Sequence, residues 1–249
     1  MKLFLSDLDN TLLYSYKHRA TDDVCIEYDK GKEQGFMTSF SFDLFDRMID
    51  NVCFIPVTTR SVEQYNRIQW PKGLSPEYEV VANGGIMLQN GIIDQEWYNE
   101  SSYEYCLYKD EIKTLQEKLL SSGNYIRCRI VDDLYLFAYC KDNVDAKQCA
   151  KDNSDETQLK VIASGKKLYF FPPNINKGMA LTKLRKKLKP ELVISAGDSI
   201  IDIPMLEKAD IAIVPNNYLA KRINGSAKII VCPENSKFSN YILNTIIHI

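Results

Sequence analysis

Short apolar runs rich in Val, Ile and Phe recur along the chain: Leu3-Phe4-Leu5, Val52 to Val57, Val80-Val81-Ala82, Leu192-Val193-Ile194, Ile211 to Val214 and Ile229 to Cys232. Runs of this length without polar alternation are expected of strands buried on both faces. Helical patterns lie between several of them, at Phe42 to Ile49, Ser61 to Ile68 and Met179 to Leu188, where Leu181, Leu184 and Leu188 share one face. Strand and helix therefore alternate. That alternation predicts an α/β fold: a mostly parallel sheet, helices on both faces and right-handed crossovers.

The middle of the chain has a different texture. Tyr125 to Val131 and Leu134 to Cys140 are strand-like and joined by Asp132-Asp133, and Leu159 to Ala163 and Leu168 to Phe171 turn through Ser164-Gly165-Lys166. Both pairs predict antiparallel hairpins. Helical stretches at Asp110 to Leu120 and Asn143 to Lys151 precede or separate them. Asn83-Gly84-Gly85 and Phe171-Pro172-Pro173-Asn174 punctuate the two ends. The expected organisation is a core of residues 1–85 and 173–249 and an α+β insert at 86–172. A further hairpin is expected between Tyr14 and Ser41, turning through Asp29-Lys30-Gly31-Lys32.

Composition narrows the function classes. The 249 residues are 45% hydrophobic and 26% charged, enough for a sizeable core, with 31 basic and 33 acidic side chains leaving a formal charge of −2. That balance argues against a nucleic-acid or anionic-membrane surface. No apolar run reaches the roughly 18 residues of a spanning helix. The start of the chain is broken by Asp7 and Asp9, so a secreted or membrane-bound protein is not expected. Seven cysteines with irregular gaps and no C-x-x-C pair fit thiols of a reducing, cytoplasmic protein. Only His18 and His248 are present, so a zinc site or a Ser-His-Asp triad has few possible builders. Any catalysis is expected to rest on carboxylates.

The sharpest chemical signal is Ser6-Asp7-Leu8-Asp9-Asn10-Thr11-Leu12, a buried strand that ends in two carboxylates. Residues two apart on an extended chain point the same way, and the carboxyl end of a strand in an open α/β sheet faces the ligand crevice. Taken alone, Asp9 and Thr11 could equally satisfy local backbone donors in an Asx-turn. Three later segments follow in order at the ends of other predicted elements: Val57-Thr58-Thr59-Arg60, Asn176-Lys177-Gly178 and Gly197-Asp198-Ser199-Ile200-Ile201-Asp202. Together the four resemble the haloacid dehalogenase superfamily, whose phosphohydrolases carry D-x-D-x-T, a Ser or Thr, a Lys and an acidic G-D-x-x-x-D.

The resemblance implies a Rossmann-like core, with the insert as the type 2 cap of the Cof-type sugar-phosphatase branch setting substrate specificity. It implies Asp7 as nucleophile, forming an aspartyl-phosphate, and Asp9 as general acid and base. Thr58 and Lys177 would bind the phosphoryl group. Asp7, Asp198, Asp202 and the main-chain carbonyl of Asp9 would hold Mg²⁺, a hard cation suited to oxygen ligands. Such charge is needed: a carboxylate approaching a phosphate dianion meets repulsion of about 4 kcal/mol per charge pair at 4 Å and an effective dielectric near 20. Thr59, Arg60, Asn83, Gly84 and Gly85 are candidate substrate contacts. The sequence departs from the family where Thr59 replaces a common Gly and Ile201 a common Asn, which leaves Asp202 as ligand or as support. The expected substrate is a small phosphorylated metabolite, a sugar phosphate. A phosphomannomutase-like phosphotransferase and a non-catalytic ligand-binding module are the alternative readings.

Overall fold

A computed structural model describes all 249 residues. Strand β1 (Lys2–Ser6) leads through β2 (Tyr14–Ser15) to the hairpin β3 (Val24–Asp29) and β4 (Lys32–Met37). Helix α1 (Ser39–Asn51), β5 (Cys53–Pro56), the single-turn α2 (Val62–Tyr65), β6 (Tyr78–Val81), β7 (Ile86–Gln89) and β8 (Ile92–Ile93) follow. The middle holds α3 (Gln95–Ser121), β9 (Tyr125–Val131), β10 (Tyr135–Cys140), α4 (Ala146–Ser154), β11 (Lys160–Ser164) and β12 (Lys167–Phe171). The remainder is α5 (Lys177–Leu188), β13 (Leu192–Ala196), α6 (Ile203–Leu206), β14 (Ile211–Val214), α7 (Asn217–Ala220), β15 (Lys228–Val231) and α8 (Phe238–Ile247).

The chain divides into two compact units, Met1–Ile93 with Lys177–Ile249, and Asp94–Asn176. The first is built on a five-stranded sheet ordered β15-β14-β13-β1-β5, every neighbouring pair parallel. Leu3, Phe4 and Leu5 of its central strand β1 are wholly buried, as a strand covered on both faces requires. Phe4, Phe54, Phe45 and Trp70 form a chain of ring contacts with centroids 5.1–5.7 Å apart, which locks α1 to β1 and β5. The run at Ile229 forms β15, but as the sheet edge it is half open, with Ile229 36% exposed. Val80 and Val81 lie in β6, which joins a separate antiparallel sheet β6-β7-β8 and packs beside β5 of the parallel sheet, where it makes the isolated Val57–Val80 bridge. Ala82 leaves the strand at a positive φ of 50°. Because β7 and β8 complete this small sheet, residues from Ile86 stay with the first unit and the second begins at Asp94.

The second unit is an antiparallel sheet ordered β11-β12-β10-β9, with α3 packed on β9 and β10, and α4 on β11 and β12. Both expected hairpins form. Asp132 and Asp133 turn at φ 46° and 54°, the paired left-handed geometry that suits the twist of a two-residue hairpin. Helix α3 starts much earlier than its apolar spacing indicates because Asp94 accepts a hydrogen bond from Trp97 N at 3.0 Å and caps it. Tyr103, Tyr105 and Tyr108 lie on this helix, with Tyr105 buried and Tyr103 exposed. The helix expected from Ser61 to Ile68 shrinks to one turn, since the chain after Tyr65 bends to let Gln69 N donate to Ile26 O at 2.7 Å.

Candidate active site

The site forms where β1 leaves the sheet. Asp7 N donates to Ala196 O at 2.9 Å, so the β1–β13 ladder continues to the first carboxylate and fixes its backbone. The chain then folds on itself: the amides of Thr11, Leu12 and Leu13 all donate to Leu8 O, and Asn10 takes a positive φ of 60°. This tight turn brings the Thr11 hydroxyl to Asp7 Oδ2 at 3.3 Å. Asp9 faces Arg60, whose Nη2 donates to Oδ1 at 2.8 Å and Nε to Oδ2 at 3.3 Å.

Lys177, the first residue of α5, is almost wholly buried, and its Nζ donates to Asp7 Oδ1 at 2.5 Å and Asp202 Oδ1 at 2.6 Å. Two glycines make this approach possible. A Cβ on Gly178 would lie 2.2 Å from the carbonyl oxygen of Pro204, and one on Gly197 would lie 2.4 Å from Cβ of Asp202. Asp202 is fully buried and its other oxygen accepts from Asp198 N, Ser199 N and Ser199 Oγ at 3.0–3.1 Å. Both of its oxygens are thus engaged by protein donors, and it shapes the loop that presents Asp198. Ile201 is buried and takes no place among these polar groups.

Oxygens of Asp7, Asp198 and Asp202 lie within 4.8 Å of one another. The electrostatic consequence is a surplus of negative charge. Burial, and then the neighbouring carboxylates Asp202 and Asp9, push Asp7 up to about 7 although Lys177 opposes the shift. Burial, and then Asp7 and Asp202, push Asp198 up to about 8, again against Lys177. Burial works against the charge on Lys177, but Asp202 and Asp7 outweigh it and hold the proton on. Three clustered carboxylates facing one ammonium fit a hard divalent cation, in donor chemistry and in charge.

Thr58 sits at the end of β5, buried, with its amide donating to Val80 O at 2.9 Å and its hydroxyl accepting from Arg60 N at 3.1 Å. Ala82 N donates to Arg60 O and Asn83 N to Thr58 O, so the Ala82-Asn83-Gly84 turn braces this loop. Its three residues all have positive φ, at 50°, 58° and 100°, a path for which Asn and Gly are the least strained choices. Thr59 and Gly85 adjoin these two braced segments. In the second unit Lys166 pairs with Asp142 at 2.5 Å at the exposed surface. One residue escaped sequence reasoning altogether. Glu27, a charge within a strand, is buried and pairs with Arg60 Nη1 at 2.9 Å; its one advance signal is that it follows the apolar Ile26 next to a Gly-containing partner strand.

Residues 94–237 match the family model of haloacid dehalogenase-like hydrolases, more than half of the chain, and the protein belongs to that family. Among solved structures it is similar in fold to the sucrose-phosphatase of Synechocystis in complex with sucrose and phosphate, at 19% identity and a TM-score of 0.68, over 99% of this chain and 96% of that one. A haloacid dehalogenase-like hydrolase from B. subtilis aligns over 100% of both chains at 14% identity and a TM-score of 0.62. A trehalose-6-phosphate phosphatase related protein aligns over 99% of this chain and 97% of that one, at 17% identity and a TM-score of 0.60. Among curated proteins, none matches in sequence. No helix is long and apolar enough to cross a membrane.

Proposed function

We propose that the protein is a Mg²⁺-dependent phosphatase of small phosphorylated metabolites, with sugar phosphates as the substrate class. The observation that carries the reading is the buried contact of Lys177 with both Asp7 and Asp202 beside Asp198. It sets a fixed cation and a nucleophile at one point, where a phosphoryl group would meet both. Asp7 Oδ attacks phosphorus while the bond to the leaving oxygen breaks, and Asp9 gives that oxygen its proton. A water, deprotonated by Asp9, then attacks the phosphorus of the aspartyl-phosphate and releases inorganic phosphate with Asp7 restored.

Lys177 and the Thr58 hydroxyl serve the phosphoryl oxygens in both displacements. Mg²⁺ held by Asp7, Asp198 and the Asp9 carbonyl would offset the negative charge that the three acids and the phosphate bring together. We assign Asp202 to holding Lys177 and the Asp198 loop, because four donors already use its oxygens. On this reading the first unit, Met1–Ile93 with Lys177–Ile249, acts as the catalytic core, with Thr59, Arg60, Asn83, Gly84 and Gly85 as its candidate substrate contacts, and the inserted α+β unit selects the substrate. The fold likeness to sugar-phosphate phosphatases supports the sugar class. The seven free thiols support a cytoplasmic setting.

The test is release of inorganic phosphate from a panel of phosphate esters, with and without Mg²⁺, in wild type and Asp7→Asn. Metal-dependent turnover that Asp7→Asn abolishes is expected. A magnesium-loaded wild type inert on the whole panel overturns the proposal.

A further inference from the structure

The Arg60 guanidinium is shared by two carboxylates. Its Nη2 and Nε fork onto Asp9 at 2.8 and 3.3 Å, and its Nη1 lies 2.9 Å from Glu27 Oε2. Arg60 and Glu27 are almost buried, whereas the Asp9 side chain is 38% exposed. The order is therefore one of depth: Glu27 inside, Arg60 between, and Asp9 facing out where a substrate would arrive. Burial works against the Arg60 charge, but Asp9 and then Glu27 more than compensate and keep it protonated.

Three features commit Glu27 to that place. The β3–β4 ladder shifts register on both sides of Glu27, a local irregularity that re-aims a side chain. Its backbone bridges Ile68, and the neighbouring Gln69 N bonds to Ile26 O, so the hairpin is tied to the segment after α2. Opposite it, Gly35 leaves the room: a Cβ there would lie 2.5 Å from Glu27 Oε2. An ordinary solvated charge on a strand needs none of these.

We propose that Glu27 is a positioning residue for the reaction, holding Arg60 so that Arg60 holds the Asp9 carboxyl against the leaving oxygen. The inference rests on the phosphatase reading above. As the Asp7–phosphorus bond forms and the bond from phosphorus to the substrate oxygen breaks, the electron pair of the broken bond stays on that oxygen and takes the proton from Asp9. In the second displacement Asp9 recovers a proton from the attacking water. A phosphoryl dianion attracts any nearby guanidinium, and Arg60 released from Glu27 would swing toward it and let Asp9 turn away. Glu27 keeps the guanidinium where Asp9 needs it. The β3–β4 hairpin thereby becomes an arm of the acid–base apparatus, beyond any role in covering the site.

The experiment compares two esters on the magnesium-loaded full chain. p-Nitrophenyl phosphate has a leaving group that needs little protonation; an alkyl ester such as glycerol phosphate has one that needs a proton in the transition state. kcat/KM reports the first displacement, where that proton moves. Glu27→Gln is expected to lower kcat/KM on the alkyl ester by about 10- to 100-fold, part of the 10²–10⁴ that general acid catalysis supplies, and by less than about 3-fold on the aryl ester. Gly35→Ala, which crowds the Glu27 carboxylate without altering any charge, is expected to show the same asymmetry and carries the test if Glu27→Gln does not fold. Arg60→Lys keeps the charge but not the fork and is expected to resemble Glu27→Gln. Equal losses on both esters in folded Glu27→Gln or Gly35→Ala, or wild-type activity of Arg60→Lys on the alkyl ester, overturn the inference alone. A wild type inert on both esters overturns the phosphatase reading and this inference with it.

Discussion

Asp202 is the residue whose removal should reveal how the site is held together. Its carboxylate, itself fully buried, accepts from the buried Lys177 Nζ on one oxygen and from Asp198 N, Ser199 N and Ser199 Oγ of a half-buried loop on the other. Asp202→Ala removes one partner of a buried ion pair, a loss of about 3–5 kcal/mol. It also strands two backbone amides at about 1–3 kcal/mol each. The sum, about 5–11 kcal/mol, rivals the whole stability of a domain, about 5–15 kcal/mol. Asp202→Asn keeps an oxygen for the two amides and loses only the charged bond to Lys177, about 1.5–3 kcal/mol. At about 2–4 °C per kcal/mol for a chain of this size, the Asn variant should melt roughly 3–12 °C lower, and the Ala variant should fail to hold the first unit together.

The chain contains two tryptophans, Trp70 in the first unit and Trp97 in the second, so each unit has its own fluorescence probe. In a Trp97→Phe background, urea titration followed at Trp70 reads the first unit directly. The expected midpoint of Asn is below that of wild type, and Ala is expected to be unfolded in this unit already without urea, with the second unit, followed through Trp97 in a Trp70→Phe background, changed far less. An Ala variant within 1 kcal/mol of wild type, or one more stable than Asn, would refute the reasoning that Asp202 is a structural acceptor at the centre of the site.

Other outcomes follow from the same geometry. In metal-free protein, Asp7 and Asp198 bind protons more tightly folded than unfolded, since their carboxyls are held at about 7 and about 8 against an ordinary 3.8. Their contribution is therefore complete below pH 3.8 and lost as pH rises through 7–8, so the melting temperature should climb on acidification from pH 8.5 to 6, and saturating Mg²⁺ should flatten that climb. Burial pushes Glu79 up to about 7 with the same sign, and a Glu79→Gln background separates the two sources; a flat metal-free profile in that background would count against the acidic cluster. Gly178→Ala should destabilise the first unit by about 1–3 kcal/mol or more, because the added methyl meets the Pro204 carbonyl at 2.2 Å; an unchanged melting curve would deny that contact. Asp145→Ala should cost the second unit about 1 kcal/mol, since its side chain caps α4 through Lys147 N, and should leave phosphatase activity on p-nitrophenyl phosphate within 2-fold. Hydrogen exchange of the first turn of α4 checks it.

The parts of this protein that sequence determined are those where the cause is local. An apolar run ending in Asp7-Leu8-Asp9 had to be a buried strand delivering acids to its carboxyl end, and Asp132-Asp133 between two strand patterns had to turn, because strand period and turn geometry are properties of a few adjacent residues. The four motifs in order exposed the family and its core for the same reason. Tertiary structure decided which of these groups meet. Lys177 could have been a solvated helix-start lysine; only the approach of α5 across Gly178 and of the Asp202 turn across Gly197 buried it between two carboxylates. Val80 read as one more strand of the parallel sheet until pairing with β7 took it elsewhere. Arg60 read as a substrate contact, and its partners Asp9 and Glu27 lie far from it in the chain. Contacts between distant segments depend on the summed packing of everything between them, so no window of neighbouring residues contains them, and the charge surplus at Asp7 and Asp198 exists only once those segments have met.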